Sequence, residues 1–410
     1  MKDTKKTMPM IRFNGFFDAW EQRKLGELAE IVRGASPRPI QDSKWFDINS
    51  DVGWLRISDV TAQSGRIKHL EQKLSSIGQR QTRVLTEPHL LLSIAATVGK
   101  PVINYVKTGV HDGFLIFLNP LFEHEWMFQW LEMFRFEWKK YGQPGSQVNL
   151  NSELVKNQSL LFPLREEQQK IGLFFQQLDN TITLHQRKLD SLKLMKQGLL
   201  QQMFPENEEK IPRIRFTDFD GDWEQRKLGE VSNKVTEKNK ENKFTETLTN
   251  SAEHGIINQR EFFDKDISNE KNLNGYYIVC KNDFVYNPRI SNYAPVGPIK
   301  RNRLGRTGVI SPLYYVFRAR SIDKNFLGYY FDTTIWHKFM ELNGDSGARA
   351  DRFAIKDSIF KEMPIPYPHL NEQKKIGDFL DGIANTIDFH QKKLVKLSIL
   401  KKAYLQHMFI

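Results

Sequence analysis

Apolar residues recur on a seven-residue period in two long segments, 167–204 and 372–409. This period predicts long α-helices whose apolar stripes pack as a coiled coil. No proline lies inside 167–204, and Pro205 directly after it would end the helix. The predicted seam residues are Ile171, Phe175, Leu178, Ile182, His185, Leu189 and Leu192 in the first segment, and Ile376, Leu380, Ile383, Ile387, His390, Leu394 and Leu397 in the second.

Polar residues stand on this seam at corresponding places: His185 with His390, and Lys196 with Lys401. A polar seam residue lowers stability but fixes the register and the number of partners. We therefore expect the two segments of one chain to pack on each other as an antiparallel pair with approximate two-fold symmetry. Because no acidic or cysteine residue stands at ligand spacing beside the histidines, we predict no metal site there.

Two bodies of about 140 residues precede these segments, and their patterns mix strands and helices irregularly. Apolar or alternating runs at 90–98, 114–118, 276–279 and 313–317 predict strands, and 122–140 and 326–342 predict helices. The irregular mixture argues against a doubly wound parallel sheet and favours an α+β fold.

The chain is a tandem duplication. The octapeptide WEQRKLGE occupies both 20–27 and 223–230, and 19 of the 38 aligned positions of 167–204 and 372–409 are identical. The bodies between these repeats share little sequence. The predicted organisation is an N-terminal arm with the first octapeptide (1–27), a first body (28–163), a central helix and linker (164–210), a second octapeptide segment (211–230), a second body (231–366) and a C-terminal helix (367–410).

The net charge of +11 and the pI near 9.4 point to a polyanionic partner, of which nucleic acid is the commonest. The single cysteine, Cys280, excludes a disulfide framework and zinc sites built from several thiolates. Since the longest apolar run is far too short to span a bilayer, we expect a protein of the cytoplasm without membrane contact.

The motif Glu-Gln-x-Lys-Ile-Gly opens both long segments. Its residues are Glu167, Gln168, Lys170, Ile171 and Gly172 in the first copy, and Glu372, Gln373, Lys375, Ile376 and Gly377 in the second. With two dissimilar bodies, each followed by this motif and a long helix, the chain resembles the specificity subunit of type I restriction-modification systems. The resemblance covers nearly the whole chain.

The resemblance implies that each body is a target recognition domain, which reads one half of a split, asymmetric site in double-stranded DNA. The conserved helices would separate the two domains and bind two modification subunits, which use S-adenosylmethionine to methylate adenine. Restriction subunits would add ATP-dependent, Mg²⁺-requiring cleavage. This chain would then bind no cofactor and catalyse nothing itself.

The predicted helix length suits that role. A helix of 38 residues is about 57 Å long, and major grooves one turn apart are separated by about 34 Å. The helices can therefore act as a ruler between two recognition domains.

Base reading requires side chains that form paired hydrogen bonds, chiefly Arg or Lys with guanine and Asn or Gln with adenine. Loops rich in such residues lie at 33–38, 79–83 and 141–147 in the first body, and at 287–293, 300–306 and 346–352 in the second. Each loop could instead be a solvated turn or a phosphate contact. The candidate DNA contacts are Arg33, Ser36, Arg38, Arg80, Arg83, Gln143, Ser146, Gln147, Arg289, Asn292, Tyr293, Lys300, Arg301, Arg303, Arg306, Ser346, Arg349 and Arg352.

Trp20 and Trp223 lie inside the identical octapeptides, so we interpret them as core anchors rather than base-stacking residues. Two alternative functions remain at this point. A stand-alone DNA-modifying enzyme would need a glycine-rich cofactor loop and an Asn/Asp-Pro-Pro-aromatic motif, from which Asn287, Pro288 and Arg289 depart. The other is a duplicated coiled-coil scaffold that binds proteins instead of DNA.

Overall fold

The computed structural model describes residues 7–95, 97–141, 150–206, 208–262, 273–346 and 351–409. The chain divides into two compact units. The first unit combines Met1–Gln186 with Lys392–Ile410, and the second is Arg187–Gln391. Within the described ranges, no helix is long and apolar enough to cross a membrane.

The first unit contains a body of short strands and helices. Its strands are β1 (Glu21–Lys24), β2 (Glu30–Arg33), β3 (Gly53–Trp54), β4 (Arg66–Ile67), β5 (Arg83–Leu85), β6 (Leu90–Ser93), β7 (Pro101–Asn104), β8 (Thr108–Val110), β9 (Phe114–Leu118) and β10 (Ser159–Phe162). Its helices are α1 (Leu25–Leu28), α2 (Ile57–Ala62), α3 (Ser76–Gln79), α4 (His124–Phe134) and α5 (Ser152–Lys156), with 3₁₀ turns at Ser43–Trp45 and Glu137–Tyr141.

The second unit contains a comparable body. Its strands are β11 (Glu224–Lys227), β12 (Ser232–Lys234), β13 (Leu248–Ser251), β14 (Gly255–Asn258), β15 (Tyr277–Val279), β16 (Phe284–Tyr286), β17 (Ile299–Arg301), β18 (Gly308–Ile310), β19 (Tyr315–Ala319), β20 (Asp345–Ser346), β21 (Phe353–Ala354) and β22 (Pro364–Tyr367). Its helices are α7 (Leu228–Val231), α8 (Gln259–Phe262), α9 (Lys324–Tyr330), α10 (His337–Asn343) and α11 (Asp357–Phe360).

The two bodies share a core sheet although their sequences differ. In the described residues, strands run in the order β2-β9-β6-β7 in the first unit, with β4 added beside β7, and in the order β12-β19-β16-β17 in the second. A smaller sheet also recurs: β8 pairs with β5 and β3 in the first unit, while β18 pairs with β15 and forms a parallel bridge near β13 in the second. The octapeptides occupy equivalent places, since β1 pairs with β10 and β11 with β22.

The two predicted long helices are present as α6 (Arg165–Gln202) and α12 (Leu370–Met408). In the first unit, the start of α6 packs against the end of α12: Phe174 meets Tyr404 at 5.1 Å between ring centroids, and Phe175 meets Phe409 at 5.9 Å. In the second unit, the last turns of α6 share a core with Ile376 at the start of α12. Within each unit the helices therefore run antiparallel, and the predicted α+β class with two long packed helices is confirmed.

The predicted helix at 326–342 is two helices, α9 and α10, separated by a bend. The Thr333 hydroxyl donates to the carbonyl of Tyr330 at 2.7 Å, and the Trp336 indole donates to the carbonyl of Phe331 at 3.3 Å. These side chains capture carbonyls that a continuous helix would use, so the helix ends there. The predicted helix at 122–140 similarly ends as an α-helix at Phe134 and continues only as a 3₁₀ turn.

Candidate nucleic-acid interface

A buried glutamate fastens the first long helix to the first octapeptide. The Glu167 carboxylate is fully buried and accepts from Arg12 Nε at 2.6 Å and Nη2 at 2.8 Å. It also accepts from Trp20 Nε1 at 3.1 Å. The neighbouring Gln168 accepts from the backbone N–H of Glu123 at 2.9 Å, just before α4. These buried bonds fix the first octapeptide and the start of α4 on the long helix.

The second unit repeats this arrangement residue for residue. Glu372 accepts from Arg215 at 2.7 and 2.9 Å and from Trp223 Nε1 at 3.3 Å. Gln373 accepts from the backbone N–H of Asp323 at 2.8 Å. Both tryptophans are buried, which confirms their interpretation as core anchors. The repeated motifs are thus a framework that holds each body in the same way.

In the first unit, three candidate DNA-contacting residues converge on Asp112. The Ser36 hydroxyl donates to Asp112 Oδ1 at 2.6 Å, and Arg38 Nη2 donates to Oδ2 at 3.2 Å. Arg33 Nε donates to the Asp112 backbone carbonyl at 2.6 Å. Both arginines are exposed. Sequence alone did not identify Asp112, because 76 residues separate it from Ser36.

Arg83 belongs to the same end of this body. It lies opposite Val110 in the pairing of β5 with β8, and Thr82 donates to the Ala35 carbonyl at 2.6 Å. Arg80 is exposed in the adjoining turn after α3. The loops at 33–38 and 79–83 therefore form one surface, at the end of the sheet where β2 ends and β9 begins.

Two ionisable groups on this surface, Asp112 and His111, have lowered pKa values. The hydrogen bond from Ser36 is the main reason why the pKa of Asp112 is lowered, and the nearby charge of Arg33 adds to it. Burial lowers the pKa of His111. Asp112 is therefore anionic and His111 neutral at pH 7.

In the second unit, the loop at 287–293 occupies the corresponding end of the core sheet, between β16 and β17. Arg289 forms an antiparallel bridge with Arg352, so these two predicted loops are neighbours. Asn292 and Tyr293 are exposed, as is Ser346 in β20. A groove beside Arg289, Tyr293 and Arg352 is lined by residues that sequence reasoning did not select, including Asn250, Gln259, Tyr276 and Tyr314.

The basic loop at 300–306 lies at the opposite end of β17 from the loop at 287–293. Lys300 pairs with Asp332 at 2.6 Å. Arg306 binds both carboxylate oxygens of Glu246, at 2.7 and 2.8 Å. These acidic partners neutralise two of the four predicted cations, and for all four a DNA contact stays a prediction.

Arg303 of this loop joins the second body to its long helix, whereas Arg301 bonds within the body. Arg303 donates to Asp381 of α12 at 2.9 Å and stacks over the Tyr329 ring at 5.1 Å. Arg301 donates to Asn325 at 2.6 Å, beside the start of α9. The sequence shows a basic cluster here but not which partner each of its side chains binds.

Gln143, Ser146, Gln147 and Arg349 lie outside the described residues. Their contact with DNA stays a prediction.

The predicted seam positions are buried or half-buried in every case. The buried ones are Ile171, Phe175, Leu189, Leu192, Ile376, Leu380, Ile383 and Leu397. The half-buried ones are Leu178, Ile182, His185, Ile387, His390 and Leu394. Among the described residues, no group of three or more His, Cys, Asp or Glu side chains could hold a metal ion.

The polar seam residues Lys401 and Lys196 contact the other long helix and the second body, respectively. In the first unit, Lys401 of α12 pairs with Asp179 of α6 at 2.6 Å, and Arg66 of the first body reaches the same carboxylate at 3.0 Å. Arg66 also binds Glu125 at 2.6 Å. In the second unit, the equivalent Lys196 lies 5.2 Å from the centre of the Tyr329 ring.

A sequence model of the family described as the type I restriction modification DNA specificity domain matches residues 18–194 and again 220–398. The type I restriction enzyme MjaVIII specificity subunit of Methanocaldococcus jannaschii is 22% identical over 409 residues, which span 93% of this chain and 90% of that protein. The crystal structure of the type I restriction-modification system S subunit from M. genitalium matches with a TM-score of 0.56 and 12% identity, over 98% of this chain and 99% of that one. This structural likeness supports the fold.

Proposed function

The chain belongs to the type I restriction-modification DNA specificity family, and on this premise we propose that it reads a bipartite, asymmetric site in double-stranded DNA. It is the DNA specificity subunit of such a system, a non-catalytic component. Each unit would read one half of the site. Because DNA is the target, we place its action in the cytoplasm.

One observation carries the proposal: the framework is the same in both units and the exposed loops differ. Glu167 and Glu372 accept equivalent bonds from an arginine and a tryptophan. At the same end of the same core sheet, the first unit presents Arg33 and Arg38, whereas the second presents Arg289 and its neighbours. A framework that is the same in both units, together with loops that differ, is what reading two different half-sites requires.

We propose that the DNA-facing sets are those at this end of each body. They are Arg33, Ser36, Arg38, Arg80 and Arg83 in the first unit, and Arg289, Asn292, Tyr293, Ser346 and Arg352 in the second. Arg303 would instead hold the second body on α12, and Arg301 would fix the start of α9 within the body.

The partners would be two modification subunits bound to the long helices, with restriction subunits added for cleavage. We propose that each modification subunit recognises exposed apolar side chains of one long helix, because such side chains recur at an offset of 205 on α6 and α12. They are Leu184, Leu194 and Met195 on α6, and Phe389, Ile399 and Leu400 on α12. S-adenosylmethionine, ATP and Mg²⁺ would be bound by the partner subunits.

The test is to express the chain with the modification subunit of its own system and map methylated adenines across the genome. We expect one interrupted, asymmetric motif. Replacing 28–163 with the body of a relative should change one half of that motif and leave the other half as it was. A change in both halves, or methylation independent of this chain, would contradict the proposal.

A binding assay separates the DNA reader from a protein-binding scaffold. The assembled complex should shift duplex DNA, and the affinity should fall steeply between 50 and 200 mM salt, roughly 10³- to 10⁵-fold if six to ten phosphates are contacted. A complex that binds no duplex at low salt would support the scaffold.

A further inference from the structure

Asp112 lies at the centre of the exposed basic surface of the first unit, and it engages two arginines through different atoms. Arg38 Nη2 donates to the carboxylate at 3.2 Å, and Arg33 Nε donates to the backbone carbonyl at 2.6 Å. Ser36 donates to the other carboxylate oxygen at 2.6 Å. In return, the Asp112 backbone N–H donates to Ser36 Oγ at 3.2 Å.

The backbone that carries these arginines is held firmly against the neighbouring strand. The N–H groups of Gly34 and Ala35 donate to the carbonyls of Phe114 and Val110, at 2.9 and 3.0 Å. Gly34 approaches so closely that a Cβ there would lie 2.1 Å from the His111 carbonyl oxygen. A loop pinned in this way keeps its arginines in place before any ligand arrives.

These contacts are too exposed to serve mainly for stability. The Arg38 side chain is 81% exposed and the Asp112 side chain 36% exposed. Solvent-exposed ion pairs contribute little to folding free energy. Their effect is to restrict long side chains that would otherwise lose conformational entropy on binding.

The remaining donors suit one class of ligand. Arg33 donates to Asp112 through Nε and Arg38 through Nη2, so each guanidinium keeps N–H groups that these bonds to Asp112 do not use. Two such N–H groups on one guanidinium match the O6 and N7 acceptors of guanine in the major groove. We infer that Asp112 is a positioning residue that presets Arg33 and Arg38 to read guanine in the half-site of the first unit.

The second unit has no positioning carboxylate at the position equivalent to Asp112. The pairing of β5 with β8 corresponds to that of β15 with β18, which places Pro312 where the first unit has Asp112. Proline offers no carboxylate. The positioning carboxylate would therefore contribute guanine reading to one half-site only, in agreement with an asymmetric target. The inference rests on the proposed function, since it names bases within a site that the chain must first recognise.

The test uses the full complex with modification subunits and reads the methylated motif of the wild type and of three variants. Arg38→Ala should relax one guanine position in one half-site, with discrimination against other bases falling about 5- to 150-fold. Asp112→Asn should relax the same position in the same direction. Because Arg38 is so exposed, its variant should fold normally. The control is Asp51→Asn, which removes an exposed carboxylate paired with Lys107 at 2.5 Å at the other end of β8.

The outcomes separate the possible explanations. Position-specific relaxation by both variants, with an unchanged second half-site and an unchanged motif in Asp51→Asn, supports the inference. Weaker methylation of every site with the wild-type motif retained would mean that the arginines contact phosphates, and would overturn it. A wild-type complex that methylates no defined motif would instead refute the proposed function.

Discussion

Removal of the buried Glu167 carboxylate at the start of α6 should destabilise the first unit, mainly because the charge of Arg12 is then left without its partner. Glu167 is fully buried, and the Arg12 side chain is only 13% exposed. Breaking a buried ion pair by removing one partner costs about 3–5 kcal/mol. Since Arg12 retains some access to water, we expect Glu167→Leu to lower the free energy of unfolding by about 3 kcal/mol.

A double variant measures how much of this loss comes from the unpaired charge of Arg12. In Arg12→Met/Glu167→Leu no charge is stranded, and what remains is the unpaired Trp20 N–H, which costs about 1–3 kcal/mol. The double variant should therefore be more stable than Glu167→Leu alone, with a coupling energy of about 2 kcal/mol between the two sites.

The assay is urea-dependent hydrogen exchange of the full chain, analysed by peptide. Peptides of the first unit report the loss, and those of the second serve as an internal reference. The matched pair Arg215 and Glu372 should show the same coupling in the second unit, because its bonds are equivalent. A coupling energy within about 0.5 kcal/mol of zero would refute the claim that this pair fastens the body to its helix.

Three further outcomes are expected. Leu189→Pro should break α6, where this residue is buried, and abolish co-purification with modification subunits while the first body stays folded by hydrogen exchange; full assembly would contradict the coiled-coil interpretation. Gly34→Ala should impair DNA binding but not assembly, because the new Cβ would collide with the His111 carbonyl; equal affinity of variant and wild type would count against a preset loop. Burial lowers the pKa of His111, His124 and His337, so the unfolded chain binds more protons and Tm should fall as pH drops below about 6.5; a Tm that rises on acidification would show the sign to be wrong.

The long helices and the duplication were predictable from sequence because both are periodic. A seven-residue repeat specifies which side of a helix is buried, and the half-buried or buried state of all fourteen seam residues follows from it. The strands at Phe114–Leu118 and Tyr277–Val279 were also recognisable from apolar runs.

Contacts between distant residues were not predictable in the same way. Arg12 and Glu167 are 155 residues apart, so sequence showed that both belong to repeats but not that they bond. Asp112 carried no motif, and only the fold brings it to Ser36. The loop at 300–306 looked like the other basic loops in sequence, yet it lies at the opposite end of β17 from the loop at 287–293, and Arg303 donates to Asp381 on α12.

The first unit closes with a segment made long after the rest of it. Met408 and Phe409 are buried in its core, and the Phe409 ring lies 6.0 Å from that of Trp126. At about 5–20 residues per second, the ribosome needs roughly 10–45 s to travel from the end of the first stretch to these residues. During this interval the apolar surface of the first body that Met408 and Phe409 later cover is exposed. The second unit is one continuous stretch and can therefore complete its fold earlier. Removing the residues after Lys401 should consequently expose the first body to chaperones and proteases, although the second body is closer to the deletion in sequence.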